Sequence, residues 1–235
     1  MEMRRRIKEQ LKKMGGMEYW AVNFSYIYKD TQEEHFVNVP EQGGSGFIPP
    51  GPLKEGVIFT IGTDTREQKH SLFRIEVQAM PGKGSKRITG APSSAMRDAI
   101  QTAFDFVKAN LKKLTVDKSI NDYDLHIQVV NLMQSKEGSE TGVAFFIAIL
   151  SALLEKPVQE QLVVLGEMSI HGGLRKVDAL TERLQLAMDS GAKKVMLPSE
   201  NKRDFADIPG DILDKIQIIF YSDPVNAAFR AMGLD

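Results

Sequence analysis

Apolar residues fall into short runs separated by polar and Gly/Pro-rich segments, and the period of the runs changes along the chain. Residues 19–39 hold two β-rich runs with a turn at Lys29-Asp30 between them. The segment 40–52 (PEQGGSGFIPPGP) has no apolar period and is the candidate boundary. Beyond it, GVIFTIGT (56–63) and HSLFRIEVQAM (70–80) read as paired strands around the polar loop 64–69, and PGKGSKRITG (81–90) as a loop and short strand. In 93–114 the apolar positions recur at helical spacing behind capping candidates Ser93 and Ser94, which predicts a helix. DLHIQVVNL (124–132) reads as a strand, 140–154 as an apolar helix and LVVLGEMSI (162–170) as a buried strand. An amphipathic helix over 178–190 is ended by Gly191, and KKVMLP (193–198) and IQIIFY (216–221) follow as strands. DPVNAAFRAMGL (223–234) closes the chain as a helix with Pro224 near its start. Helices and strands alternate without regular βαβ order, so an α+β fold is predicted. At the other end, residues 3–14 read as a short basic helix stopped by Gly15-Gly16. The organisation expected is a helix and β-hairpin extension over 1–44 followed by a main domain over 45–235.

Composition narrows the chemistry. Lys and Arg total 30 against 31 Asp and Glu, so the chain as a whole carries no polyanion-binding charge. A nucleic-acid contact would need a local patch, for which the basic helix and the PGKGSKR loop (81–87) are the candidates. The absence of cysteine excludes disulfides, thiolate catalysis and cysteine–zinc sites, and favours a reducing cytoplasm over secretion. The longest apolar run, VAFFIAILSALL, has 12 residues, too few to span a bilayer, so no membrane partner is expected. MEMRRRIKEQLKKM is basic without an apolar core and does not read as a signal peptide.

Few motifs carry chemistry. PGKGSK (81–86) lacks the GxxxxGK[ST] spacing that wraps backbone amides around phosphates, so ATP hydrolysis within these residues is not expected. The histidines, His35, His70, His126 and His171, form no HExxH pair and no pair four apart, and no metal is expected. His126 shares a short strand with Asp124, which would allow a local hydrogen bond. KEGSETG (136–142) before the apolar helix is more informative. A glycine there lets amides face a ligand, as in an oxyanion hole. Ser139 is the candidate nucleophile, though a serine at that point is first of all an N-cap.

Several segments resemble, in order, the proteolytic domain of the Lon protease family. KEGSETGVAFFIAILSALLEKPV is similar to the family's K-D-G-P-S-A-G box and following helix. LVVLGEMSIHGGL resembles A-M-T-G-E-I-x-L-x-G, and DALTERLQLAMDSGAKKVMLP resembles G-G-L-K-E-K-L-x-A-A-x-x-x-G-x-x-x-V-x-x-P. RIEVQAMPGKGSKRITGAPSSAMRDAIQTAFDFVKANL looks like the family's strand, P-G-K-G loop and first helix, so the likeness runs over roughly residues 55–205. The resemblance implies the Lon proteolytic fold and, at its centre, a Ser–Lys dyad. Both dyad positions differ here. Ser139 takes the place of the box proline, Glu140 that of the nucleophilic serine, and Arg183 that of the catalytic lysine. Asp178 and Ala179 stand where the family has two glycines.

A dyad needs a hydroxyl that attacks and a neutral amine that takes its proton. A carboxylate is a poor nucleophile toward an amide, and a guanidinium stays protonated. The resemblance therefore implies an inactive centre, and the complementary charges predict an ion pair between Glu140 and Arg183. The alternative is Ser139 as displaced nucleophile with Lys136 or Lys176 as base. That shift of one residue at a helix start turns the side chain by about 100°.

The two ends of the chain, RRRIKEQLKKMGGMEYWAVNFSY and SGAKKVMLPSENKRDFADIPGDILDKIQIIFYSDPVNAAFRAMGLD, are similar to Lon-like proteins of bacterial BREX phage-exclusion systems. That likeness implies an AAA+ ATPase module N-terminal to these residues, with the basic helix as its tether. It further implies ATP and magnesium bound by that module and none here, ring assembly that is commonly hexameric, and phage defence linked to DNA.

Overall fold

The computed structural model describes residues 23–27, 34–38, 46–64, 69–91, 93–114, 118–133 and 140–234. The chain divides into two compact units, residues 1–46 and 47–235. In the first, strands β1 (Asn23–Ile27) and β2 (Glu34–Asn38) pair antiparallel, from Asn23 opposite Asn38 to Ile27 opposite Glu34. The basic helix predicted over 3–14 and the turn at Lys29-Asp30 lie outside the described residues.

The second unit is built on strands β3 (Val57–Asp64), β4 (Lys69–Pro81), β5 (Lys86–Thr89) and β6 (Tyr123–Asn131), with helix α1 (Ser94–Leu114) between the last two. Helix α2 (Gly142–Leu154), strand β7 (Leu162–Val164) and a small ribbon of β8 (Glu167–Met168) and β9 (Leu174–Arg175) follow. Helix α3 (Leu180–Asp189), β10 (Lys194–Pro198), a 3-10 helix (Ser199–Asp207), α4 (Gly210–Leu213), β11 (Gln217–Tyr221) and α5 (Pro224–Ala231) complete it. Seven strands form one mixed sheet in the order β11-β10-β7-β3-β4-β6-β5. The pairs from β11 to β3 are parallel, β3–β4 and β4–β6 antiparallel, and β5–β6 parallel. The fold is the α+β arrangement expected.

Alternation along β3 and β4 separates two cores. Ile58, Phe73, Ile75 and Val77 face α1 and α2; Phe59, Ile61 and Leu72 face the α3 side with Leu184 and Ala187. Thr63 and His70 continue the second set toward the hairpin end, where they are direct cross-strand partners. α2 is apolar all round because it is enclosed: every residue from Gly142 to Leu153 is buried. Fully burying each of its Phe, Ile and Leu side chains is worth about 1.5–3 kcal/mol relative to exposure. Phe146 adds an edge-to-face contact with Phe106, with centroids 5.2 Å apart. Among the described residues no helix is long and apolar enough to cross a membrane.

The structure departs from the predicted 162–170 strand. The chain breaks at Gly166, whose φ of +139° and close approach to the Tyr221 hydroxyl leave no room for a Cβ. That hydroxyl is buried and donates to Leu165 O at 2.6 Å, and burial holds its pKa well above the usual phenol value. The segment re-emerges as β8 beside the start of α2, where Val143 N donates to Gly166 O at 3.2 Å. The helix predicted over 178–190 starts at Leu180, after Ala179 in the left-handed conformation (φ 49°, ψ 51°). Ahead of that start, buried Asn201 brackets Val177, accepting from its N–H at 3.0 Å and donating to its carbonyl at 2.8 Å. This bracket orients the entry into α3, and with it Arg183.

Candidate functional site

Three elements converge at the hairpin end of β3 and β4. Arg183 lies in the first turn of α3, and its N–H makes an early helical bond to Ala179 O at 3.2 Å. Its side chain is only 2% exposed. Glu140 immediately precedes Thr141, the N-cap of α2, and has a φ of +65°. The guanidinium Nη2 donates to Glu140 Oε2 and, at 2.7 Å, to Thr63 Oγ1. The ion pair expected from charge complementarity is present. Thr63 Oγ1 also lies 3.1 Å from Glu140 Oε2 and 3.2 Å from His70 Nδ1. One assignment satisfies all these contacts: the hydroxyl donates to Glu140 and accepts from Arg183 and from a protonated Nδ1 of neutral His70. Burial holds the His70 imidazole below its ordinary pKa, and the Arg183 charge adds to that; Glu182 and Glu140 pull weakly the other way.

The pair is asymmetric. Arg183 is enclosed, with Nε and Nη1 buried and lacking a hydrogen-bond partner among the described residues, whereas the Glu140 side chain is 21% exposed. Thr141 Oγ1 is also buried and has no hydrogen-bond partner among the described residues. A carboxylate and a permanently charged guanidinium occupy the centre, and neither supplies an attacking hydroxyl or a neutral amine.

Ser139 and Lys136 lie outside the described residues. Lys176, the other alternative base, is on the surface and donates to Asp204 Oδ1 at 2.8 Å. That hydrogen bond raises its pKa, so the amine is held protonated, the opposite of what a base requires. Thr63 and His70 were not among the sequence candidates. Their signal was available, because they flank the polar loop 64–69 of the predicted hairpin and must face each other across it.

Elsewhere, the glycine-rich loop holds an anion of the chain's own. Asp124 Oδ1 accepts from Lys83 N at 2.9 Å and Ser85 N at 2.8 Å, and these backbone bonds depress its pKa. The local bond expected between His126 and Asp124 is replaced: His126 Nε2 pairs with Thr89 Oγ1 at 3.0 Å. Among the described residues no group of three or more acidic or histidine side chains is placed to hold a metal ion.

With this geometry in view, similarity to known proteins is informative. The sequence profile of the Lon protease (S16) C-terminal proteolytic domain matches residues 55–231. A Lon-like protease BrxL from Escherichia coli O9:H4 (strain HS) is 44% identical over 236 residues, covering 100% of this chain and 34% of the relative. A Lon-like protease BrxL from Bacillus cereus (strain H3081.97) is 42% identical over 235 residues, covering 99% of this chain and 34% of the relative. Lon protease 2 of Sorangium cellulosum (strain So ce56) is 34% identical over 149 residues, 63% of this chain and 18% of its own length. The chain thus spans about a third of the length of the BrxL relatives it matches. A profile match running through α2, α3 and the centre between them places this chain in the Lon protease family, as a C-terminal proteolytic domain.

Proposed function

We propose that this domain does not cleave peptides and serves as an oligomerisation or docking module of a longer AAA+ protein in BREX-type phage defence. The observation that carries the reading is the Glu140–Arg183 pair at the two dyad positions. A Lon-type centre needs a proton to leave a hydroxyl for an amine; here both groups are charged and bonded to each other. Lys176, engaged with Asp204, offers no replacement base.

The remaining length of the relatives leaves room for the ATPase module N-terminal to this chain. In this reading ATP and magnesium belong to that module, and the domain follows its ring, expected to be hexameric, in the cytoplasm. The extension over 1–44 tethers the main domain to the ATPase. Exposure of the chain to a serine-reactive fluorophosphonate tests the reading, with an active Lon protease as positive control. The expected result is no covalent adduct by mass spectrometry. An adduct on Ser139 would replace the silent-module reading with that of a peptidase using a displaced nucleophile.

A further inference from the structure

The bonding at Arg183 is incomplete in a specific way. Nη2 is shared between Thr63 Oγ1 and Glu140 Oε2, while Nε and Nη1 are buried and have no hydrogen-bond partner among the described residues. Both side-chain contacts to Glu140, from Arg183 and from Thr63, fall on the same oxygen, Oε2. A carboxylate free to orient itself would meet a guanidinium with two oxygens on two nitrogens, the fork arrangement that makes such pairs strong. Glu140 makes half of that fork. Its backbone is held left-handed at φ +65°, a conformation that residues with a side chain adopt under constraint. Its carboxylate is also the solvent-facing member of the pair, 21% exposed against 2% for Arg183.

We propose that Arg183 is a carboxylate-binding site in which Glu140 is the resident, displaceable occupant. An incoming carboxylate completes the fork on Nη2 and one of the unpartnered nitrogens and accepts from Thr63, while Glu140 turns to water. The planar fork selects a carboxylate, supplied by either a peptide C-terminus or an Asp or Glu side chain of a partner. With His70 neutral, Arg183 supplies the positive charge at this point among the described residues. Binding here requires neither cleavage nor its absence, so this inference stands apart from the proposed silence of the centre.

The first test is thermal unfolding of the Glu140→Ala chain titrated with sodium acetate, acetamide or sodium chloride at matched ionic strength. Acetate is expected to raise Tm by about 3–6 °C at tenfold its Kd, with no comparable rise from acetamide or chloride. Glu140→Ala/Arg183→Met should lose the response. If the alanine variant does not fold, Glu140→Gln takes its place in the same titration. The second test follows the Arg183 Nε–H resonance of the wild-type chain by 15N NMR. The additions are a short peptide with a free C-terminus, its amide, and an amidated peptide carrying a glutamate. A shift with the free C-terminus alone assigns the source as a chain end; a shift with both acids assigns any carboxylate. Equal response to acetate, acetamide and chloride, an adventitious ion only, would overturn the site. A response in the variants without one in the wild-type chain would overturn the displacement of Glu140.

Discussion

The asymmetry of the Glu140–Arg183 pair predicts unequal costs for removing its two members. In Glu140→Ala the guanidinium, 2% exposed, keeps Thr63 but loses its counter-charge. Breaking a buried pair from one side costs about 3–5 kcal/mol; water entering the space of a side chain that is 21% exposed reduces this to about 3 kcal/mol. For a domain of this size that lowers Tm by roughly 6–12 °C. Arg183→Met leaves a carboxylate that water already reaches, and methionine fills much of the stem volume, so its cost is about 1 kcal/mol. Glu140→Ala/Arg183→Met leaves no unpaired charge and should lie within about 1 kcal/mol of wild type, a coupling of about 3–5 kcal/mol. Urea and thermal unfolding of the four chains, followed by circular dichroism, measure the cycle. Equal losses in Arg183→Met and Glu140→Ala, or a double variant that loses the sum of the single losses, would show that no buried charge is left uncompensated in Glu140→Ala.

Three further outcomes follow from particular positions. Ala179 caps α3 at φ 49°, where the family has glycine, so Ala179→Gly should stabilise by about 0.5–1 kcal/mol in urea unfolding, and any destabilisation contradicts the strain argument. Gly166→Ala places a methyl group on the Tyr221 hydroxyl and disturbs its bond to Leu165 O; a loss of at least about 3 kcal/mol is expected, and a near-neutral effect would show that the close approach is not required. The His70 imidazole titrates below its ordinary value because it is half-buried beside the Arg183 charge. The unfolded chain therefore binds the proton first, so stability falls as pH drops below about 6.5 and levels off once the folded imidazole is also protonated. Urea midpoints at pH 7.5 and pH 5.5 should differ in that direction, with the slope reduced in His70→Gln; the reverse sign rules out a neutral, half-buried imidazole.

The hairpin of β3 and β4, the long α1, the enclosed α2 and the closing β11–α5 pair were legible because their apolar period or their caps are local. Asp223 illustrates this: its carboxylate caps α5 by accepting from Asn226 N at 2.8 Å, with Pro224 in the first turn. The break at Gly166 was not legible, since it depends on Tyr221, far away in sequence, whose hydroxyl must reach Leu165 O. Nor was the 3-10 helix over Ser199–Asp207, a charged stretch anchored by the contact of Asn201 with Val177. At the centre, Glu140 and Arg183 could be located from the order of motifs. The burial of Arg183 could not, because a charge on an amphipathic helix ordinarily faces water. Arg183 sits on the buried face of α3 with Leu180, Leu184 and Ala187, and its polar partners there, Thr63 and Glu140, are delivered by two other elements.

In the proposed reading the two dyad positions hold an ion pair that cannot cleave a peptide bond. The most direct test of that reading is digestion of unfolded casein by this chain at high concentration, alongside Ser139→Ala and Glu140→Ser/Arg183→Lys. The wild-type chain is expected to release no peptides, whether or not the double variant gains activity. Casein cleavage by the wild-type chain that Ser139→Ala abolishes would contradict it.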